Sequence, residues 1–144
     1  MEKINVAILG ASGAVGREML KILEEYDIPV AKLLPLASAR SAGGYVKFHG
    51  EDVLIEEATD ESFAGMDYVL GAVKNGMSKR FAPAIVKSGA VYIDNSSAFR
   101  LDENVPLVVP EINGADAFEN KGIIANPNCS TIQAMVALKP LHDK

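Results

Sequence analysis

Three patterns follow one another without a gap at the start of the chain and constrain its fold most strongly. Residues 4–9 form a short, almost wholly apolar run rich in β-branched side chains, which is typical of a strand buried on both faces of a parallel sheet. A glycine-rich loop occupies residues 10–16, and over 14–25 the apolar residues recur at helical spacing. A strand, a glycine loop and a helix in this order predict the first unit of a βαβ fold.

The rest of the chain repeats this alternation. Further strands are predicted at 32–37, 67–72, 91–94, 107–109 and 122–125, helices at 78–87 and 130–138, and an antiparallel hairpin with arms 45–48 and 53–57. Pro83 is expected near the first turns of its helix, where proline is better tolerated. The pattern predicts an α/β fold that is Rossmann-like and doubly wound, with a mostly parallel sheet and helices on both faces. Ligands on such sheets bind at the carboxyl ends of the strands.

Composition excludes several classes of protein. The chain has 144 residues and a net charge of -5, so no basic stripe is available to neutralise the phosphates of a nucleic acid. The longest apolar runs, such as 69–73, are too short to span a bilayer, and the N-terminal residues lead straight into a strand, so no signal peptide is expected. A single cysteine rules out an internal disulfide and fits a reducing, cytoplasmic setting. No metal site is predicted.

The glycine loop has the spacing G-x-x-G-x-x-G rather than the commoner G-x-G-x-x-G, so its place between strand and helix carries the prediction. Gly10 is expected to make a tight turn, Gly13 to let the backbone approach a pyrophosphate, and Gly16 to allow close packing of helix on strand. The helix N-terminus then offers free N–H groups to phosphate. The predicted cofactor-binding residues of this loop are Gly10, Ser12, Gly13, Ala14, Val15 and Gly16.

The loop after the second strand indicates which dinucleotide is bound. An NAD enzyme usually carries an acidic residue about 20 positions past the glycines to hold the ribose 2′-hydroxyl. Here the segment reads Ala-Ser-Ala-Arg-Ser over 37–41 and contains no acid. A guanidinium between two hydroxyls suits a 2′-phosphate, so Ser38, Arg40 and Ser41 are predicted to bind NADP. The alternative is an arginine that is merely solvated.

Cys129 lies in the segment Asn-Pro-Asn-Cys-Ser-Thr, between the last predicted strand and the last predicted helix. A lone cysteine is most often a small buried residue, but a helix N-terminus stabilises a thiolate through its dipole and free N–H groups. Cys129 is therefore predicted to be a catalytic nucleophile. Those N–H groups and the Asn128 amide are predicted to stabilise an oxyanion, and Ser130 or Thr131 is expected to cap the helix.

No base is predicted beside this thiol. The two histidines, His49 and His142, are both expected on the surface. If the last helix ran as far as His142, that residue would lie roughly 20 Å from Cys129 along the helix axis.

Another strand end, over residues 94–100, carries Arg100. Its guanidinium is suited to hold a substrate phosphate or carboxylate with two hydrogen bonds. The alternative is a surface ion pair with Asp102 or Glu103.

Five segments together resemble the aspartate-β-semialdehyde dehydrogenase family. They are GASGAVG (10–16), SARSAG (38–43), DNSSAFR (94–100), VPLVVPEIN (105–113) and NPNCSTIQ (126–133). The resemblance extends over the whole chain. It implies an enzyme that uses NADPH to reduce β-aspartyl phosphate to the semialdehyde and releases phosphate, in the route to lysine, threonine and methionine.

The resemblance also implies roles for individual residues. Cys129 would attack the acyl phosphate and form a thioester that accepts hydride, and Asn128 matches the asparagine beside the family's nucleophile. Arg100 matches the substrate-phosphate arginine, and Asn95 of the same loop is taken as a second substrate-binding residue. The residues that match the 2′-phosphate loop are Ser38, Arg40 and Ser41.

The chain departs from the family pattern in two respects. Many bacterial members carry a small Ser/Gly-rich loop where this chain has Val-Lys-Asn-Gly-Met-Ser over 73–78, which puts the contacts of that loop in doubt, although Lys74 is still able to meet a phosphate. Family members also continue through a substrate and dimerisation domain. We therefore expect a dinucleotide-binding domain over 1–129, the start of a helix leading into a missing domain over 130–144, no turnover by the chain alone, and a homodimer or homotetramer for the full-length enzyme.

Two alternatives remain open. N-acetyl-γ-glutamyl-phosphate reductase is similar in fold and thioester chemistry, although the segments at 38–43 and 94–100 favour the aspartyl enzyme. The other alternative is a dinucleotide-binding module without chemistry. A purely structural domain would leave three matched loops at adjacent strand ends as a coincidence.

Overall fold

A six-stranded parallel sheet organises residues 2–144, which are the residues described by the computed structural model. The strands are β1 (Ile4–Leu9), β2 (Val30–Ala37), β3 (Tyr45–Phe48), β4 (Glu51–Leu54), β5 (Glu56–Glu57), β6 (Tyr68–Gly71), β7 (Val91–Asp94) and β8 (Ile123–Ala125). The helices are α1 (Ala14–Glu25), α2 (Asn75–Lys87), α3 (Pro110–Asn113) and α4 (Cys129–His142), and short 3₁₀ helices cover Asp60–Phe63 and Gly114–Glu119. The sheet order is β5-β2-β1-β6-β7-β8, and β3 pairs with β4 as a separate hairpin.

The central strand β1 is buried on both faces, as its apolar run predicts. Val6 and Ile8 belong to a core cluster that includes Leu20 of α1, whereas Ala7 and Leu9 belong to a second cluster that contains residues of α2. Helices therefore cover both faces of a sheet whose order reverses between β1 and β6, and the predicted Rossmann-like, doubly wound fold is confirmed. Among the described residues, no helix has the length and apolarity needed to cross a membrane.

The hairpin is shorter than predicted. Its second arm covers 51–54 rather than 53–57, because a two-residue turn at His49 and Gly50 reverses the chain directly after β3. Both turn residues have positive φ, 49° and 80°, which suits the right-handed twist of a tight hairpin. Residues 56–57 instead pair in parallel with β2 at the edge of the main sheet.

The strand predicted at 107–109 is wrong. Leu107 forms only an isolated parallel bridge with Ala125, because the prolines on either side prevent a longer ladder. Pro106 has no N–H to donate, and Pro110 is the first residue of α3.

Two helices are longer than predicted. Helix α2 begins at Asn75, so Pro83 is its ninth residue and the expectation that it lies near the first turns is wrong. The Pro83 side chain is exposed, so water is able to solvate the carbonyl that the missing N–H leaves free. Helix α4 runs to His142 with Pro140 in its last turns, rather than ending at 138.

Candidate active site

The carboxyl ends of β1, β2 and β6 surround a cavity of about 220 Å³. It lies where the strand order reverses, which is where open parallel sheets bind their ligands. Gly10, Ser12 and Gly13 line this cavity together with Ser38 and Val73. A larger cavity of about 350 Å³ lies between α1 and β3, away from these strand ends. The smaller one is therefore the candidate dinucleotide cleft.

Two glycines in the loop are required by close contacts. Gly10 has a φ of +94°, and a Cβ atom there would lie 2.4 Å from the carbonyl oxygen of Ala72. A Cβ at Gly16 would lie 2.4 Å from the carbonyl oxygen of Gly10. These positions therefore make the tight turn and the close packing expected of them. At Gly13 a Cβ would make only an ordinary contact of 3.5 Å, so the backbone there is open to a ligand.

The N-terminus of α1 is suited to an anion. Its N-cap is Gly13, no side chain caps it, and its first turn contains no acidic residue. The first turn includes Ala14 and Val15, whose N–H groups have no partner within the helix. The first helical bond runs from the Arg17 N–H to the carbonyl of Gly13. Free N–H groups and the positive end of the helix dipole fit the pyrophosphate of a dinucleotide.

The loop after β2 presents Arg40 to solvent. The carbonyl of Ser38 accepts hydrogen bonds from the N–H groups of Ser41 (2.8 Å) and Ala42 (2.9 Å), which forms a tight turn. Arg40 lies inside this turn, is exposed, and takes part in none of the ion pairs found in residues 2–144. Its guanidinium is free to meet an anion beside the cleft.

Cys129 is exposed and is the first residue of α4. Asn128 is the N-cap, and its Oδ1 accepts a hydrogen bond from the N–H of Ser130 at 3.0 Å. The expectation that Ser130 or Thr131 caps the helix is therefore wrong, because the chain is already helical at Cys129 and asparagine is a strong N-cap. Capping uses only Oδ1, so the Nδ2 group of Asn128 remains a donor next to the thiol.

Arg100 is held by backbone carbonyl groups. Its Nε donates to the carbonyl of Asn126 at 2.8 Å and its Nη2 to the carbonyl of Asn95 at 2.9 Å. No described carboxylate pairs with it, so the alternative of a surface ion pair with Asp102 or Glu103 is wrong. Two of the five N–H groups of the guanidinium are used. The other three remain for an anion, and the anchoring residue at 126 is three positions before the nucleophile.

The side chain of Asn95 links the same two loops. Its Oδ1 accepts a hydrogen bond from Nδ2 of Asn126. This contact joins the loop after β7 to the loop that leads into Cys129. The three candidate residues Asn95, Arg100 and Cys129 therefore belong to one connected structure at adjacent strand ends.

The two histidines lie apart from the thiol. His49 occupies the hairpin turn, where its backbone N–H donates to a carboxylate oxygen of Glu24. His142 is the last residue of α4, so the rise of the helix separates it from Cys129 by roughly 20 Å.

A buried polar network supports the loop over 94–100 that carries Arg100, here called the arginine loop, and this network was not predicted from the sequence. Asp94 is fully buried at the end of β7, and its carboxylate accepts from the N–H (3.0 Å) and the hydroxyl (2.7 Å) of Ser96. The Tyr92 hydroxyl lies 3.0 Å from Oγ of Ser78 and 3.3 Å from Oδ1 of Asp94. An Asp two residues before a Ser at a strand end is a turn signal that predicts the first contact. The contact between Ser78 and Tyr92 has no such local signal.

Tyr92 gives the protein an alkaline limit. Burial raises the pKa of Tyr92 well above its usual range, so the folded protein keeps this proton at a pH where the unfolded chain, with a pKa of about 10, loses it. The unfolded state then binds fewer protons, and the free energy of unfolding falls as the pH rises above roughly 10. Tyr92→Phe should reduce the slope of the free energy of unfolding against pH in this range by up to the equivalent of one bound proton. At neutral pH the substitution should lower the free energy of unfolding by about 1 kcal/mol, because hydrogen bonds are lost. Urea unfolding from pH 8 to pH 11 measures both effects, and parallel curves above pH 10 would contradict the assignment.

Comparisons with known proteins agree with this geometry. Residues 5–120 match the family model for the semialdehyde dehydrogenase NAD-binding domain. Aspartate-semialdehyde dehydrogenase from Bacillus subtilis (strain 168) is 52% identical over 139 residues, which cover 96% of this chain and 40% of that protein. The corresponding protein of Aquifex aeolicus (strain VF5) is 53% identical over 142 residues, covering 96% of this chain and 42% of its own length.

A solved structure has the same fold over almost the whole chain. The crystal structure of aspartate semialdehyde dehydrogenase II from Vibrio cholerae, complexed with ASA, has a TM-score of 0.93 at 45% sequence identity. The match covers 99% of this chain and 47% of that one, so the chain spans less than half the length of these relatives. Because the family model matches residues 5–120 and the structure has the glycine loop and the parallel sheet, the chain belongs to the semialdehyde dehydrogenase NAD-binding domain family.

Proposed function

We propose that this chain provides the dinucleotide cleft and the nucleophile of an aspartate-semialdehyde dehydrogenase that reduces β-aspartyl phosphate to aspartate semialdehyde. The observation that carries the proposal is the hydrogen bond from Arg100 to the carbonyl of Asn126. It connects the Arg100 guanidinium to the loop that leads into Cys129, which supports a role for Arg100 in holding the substrate anion. Relatives that are 52% and 53% identical bear the name of this enzyme.

The proposed chemistry begins at Cys129, the first residue of α4, which acts as a thiolate. Its sulfur attacks the carbonyl carbon of the acyl phosphate, a C–S bond forms, the C–O bond to phosphate breaks, and phosphate leaves. The free N–H groups of Arg100 hold that phosphate. The first N–H groups of α4 and Nδ2 of Asn128 stabilise the oxyanion that develops on the carbonyl oxygen.

The second half of the reaction releases the thiolate. NADPH, when bound, supplies the hydride that reduces the thioester carbon. The first N–H groups of α4 and Nδ2 of Asn128 then stabilise the alkoxide. The alkoxide collapses as the C–S bond breaks, and the aldehyde departs. Splitting one displacement into two steps is the advantage of a covalent intermediate.

The domain arrangement is also part of the proposal. We assign the dinucleotide-binding domain to 1–129, and residues 130–144 to a helix that leads into a substrate domain. The apolar side chains of Met135, Leu138 and Leu141 on α4 are exposed, which supports packing against further structure. Because neither histidine lies near Cys129, we place the proton-transfer partner outside the described residues. A homodimer or homotetramer in the cytoplasm completes the proposal.

The cofactor is proposed to be NADP rather than NAD, because the exposed Arg40 lies between two serines beside the cleft. Arg40→Ala should weaken NADPH binding by roughly 1–3 kcal/mol, the value expected for a charge-assisted contact, and should leave NADH binding nearly unchanged. Fluorescence titration of the 144-residue chain with both cofactors measures the difference. Equal losses for NADPH and NADH would remove the support for a 2′-phosphate contact.

A chimera tests the activity. This chain would replace the matched 139 residues of the Bacillus subtilis enzyme, and the chimera would be assayed with aspartate semialdehyde, phosphate and NADP. We expect turnover with this substrate and none with N-acetylglutamyl semialdehyde. The remainder of the Bacillus subtilis enzyme, assayed alone, is the control. A chimera that binds NADPH but turns over neither substrate would favour a dinucleotide-binding module without chemistry.

A further inference from the structure

Asn75 connects the dinucleotide cleft to the loop that carries Arg100. It is the first residue of α2 and follows a segment that lines the cleft through Val73, while Met77 of the same first turn also lines it. Its Oδ1 accepts a hydrogen bond from the N–H of Ser97 at 3.0 Å, and its Nδ2 donates to Oγ of Ser97 at 2.7 Å. Paired bonds of this kind fix both the distance and the orientation of the two groups.

Ser97 belongs to the short loop between Asp94 and Arg100, and hydrogen bonds hold this loop at its start, at its end and at Ser97 between them. Its start is fixed by the two hydrogen bonds that Ser96 donates to the buried carboxylate of Asp94. Its end is fixed by the two backbone carbonyls that accept from Arg100. The third attachment is the pair of bonds to Asn75. This pair bonds the loop directly to the first turn of α2, where Met77 also lines the dinucleotide cleft.

The start of α2 is suited to respond to a bound dinucleotide. Its N-cap, Lys74, makes no side-chain capping bond, and its first turn contains no acidic residue, so no side chain of this turn satisfies the free N–H groups of the helix start. A ligand in the cleft would contact Val73 and Met77, which lie on either side of Asn75 in the sequence. Two sites linked through an element that one ligand orders bind their ligands cooperatively.

We propose that Asn75 is a positioning residue that couples dinucleotide occupancy of the cleft to anion binding at Arg100. A dinucleotide that orders the first turn of α2 fixes Asn75, Asn75 holds Ser97, and the loop then presents Arg100 to the substrate phosphate. By linkage, an anion on Arg100 strengthens dinucleotide binding by the same factor. The inference rests on the proposed function, because it takes Arg100 as the site of the substrate anion.

The test uses two alkylating agents that differ in charge. Cys129 is the only cysteine of the chain, so alkylation of the 144-residue protein reports on this thiol alone. Iodoacetate carries a carboxylate that Arg100 attracts, whereas iodoacetamide is neutral. The rate of alkylation by iodoacetate divided by the rate with iodoacetamide therefore measures how well Arg100 holds an anion beside the thiol. Each variant would be measured without NADPH and with saturating NADPH, after titration confirms that the cofactor is bound.

NADPH is expected to raise this ratio in the wild type. The factor by which it rises should be at least about 5-fold larger in the wild type than in Asn75→Ala, since 5-fold is the lower end of typical coupling factors. Ser97→Ala should lose part of the effect, because its N–H still bonds to Asn75. The double variant should lose no more than Asn75→Ala alone. Asn104→Ala, an exposed asparagine outside the bridge, is the matched control and should behave as the wild type.

The outcomes separate this coupling from the proposed function. If NADPH binds and the ratio responds equally in the wild type and in Asn75→Ala, or does not respond in either, the coupling is overturned while the dinucleotide cleft stands. If NADPH does not bind the wild-type chain, both the proposed function and the coupling are overturned. Thermal unfolding of each variant verifies that Asn75→Ala is folded, and the Ser97→Ala result supports or opposes the coupling independently of it.

Discussion

Cys129→Ser is expected to lower turnover of the chimera by at least about 10⁴-fold, the order of loss when a nucleophile that acts together with its neighbours is removed. A serine hydroxyl ionises far less readily than a thiol, so the N-terminus of α4 stabilises little alkoxide at neutral pH. An oxygen ester would also be a poorer intermediate for hydride reduction and release. NADPH binding should not change, because the cleft is formed by the ends of β1, β2 and β6 and Cys129 does not line it.

Stopped-flow measurement of NADPH formation gives the rate of the variant, and fluorescence titration gives its affinity for the cofactor. Thermal unfolding controls for loss of structure, which we expect to be small because Cys129 is exposed. Turnover within about 10-fold of the parent chimera would rule out Cys129 as the nucleophile, since one surface substitution without a chemical role has little effect.

Arg100→Lys is expected to reduce kcat/KM for phosphate by roughly 10²–10³-fold. Lysine keeps the charge but loses the planar fork, so it is unable to satisfy both backbone carbonyls and still bind an anion. Hydrogen bonds to charged groups contribute about 1.5–3 kcal/mol each, and two such bonds are at stake in the loop. The loss should fall mainly on KM if the arginine binds phosphate equally in the ground state and the transition state.

Arg80→Lys is the matched control for this prediction. Arg80 forms an exposed ion pair with Asp60 at 2.7 Å instead of bonding to the arginine loop, and exposed pairs contribute little. Steady-state kinetics of the two chimeric variants with phosphate as the varied substrate make the comparison. Equal and small effects of the two substitutions would show that Arg100 is structural only.

The sequence was sufficient for the fold because the decisive signals are local. The apolar run of β1 and the glycines beside it determine a strand, a turn and a helix from neighbouring residues alone. The same applies to the loop that presents Arg40. Predictions are wrong where a proline, a cap or a tight turn decides a boundary, as at Pro106 beside the isolated bridge, at Asn128 in place of Ser130, and at the hairpin turn of His49 and Gly50.

The support of the site was not predictable, because it depends on contacts between distant segments. Arg100 is anchored on Asn126, 26 positions away, and Asn75 bonds to Ser97, 22 positions away. Local patterns give no register for such pairs. Residue 75 also lies in the segment 73–78 that departs from the family pattern, so the resemblance does not indicate its role.

Mass spectrometry of the acyl-enzyme tests most directly whether this chain carries the nucleophile. The chimera would be mixed with β-aspartyl phosphate in the absence of NADPH, quenched rapidly in acid and digested. We expect an aspartyl thioester on the peptide that contains Cys129, with one phosphate released per adduct, and loss of the adduct when NADPH is added before the quench. Release of phosphate without an adduct on Cys129, or an adduct that NADPH does not discharge, would contradict the proposed function.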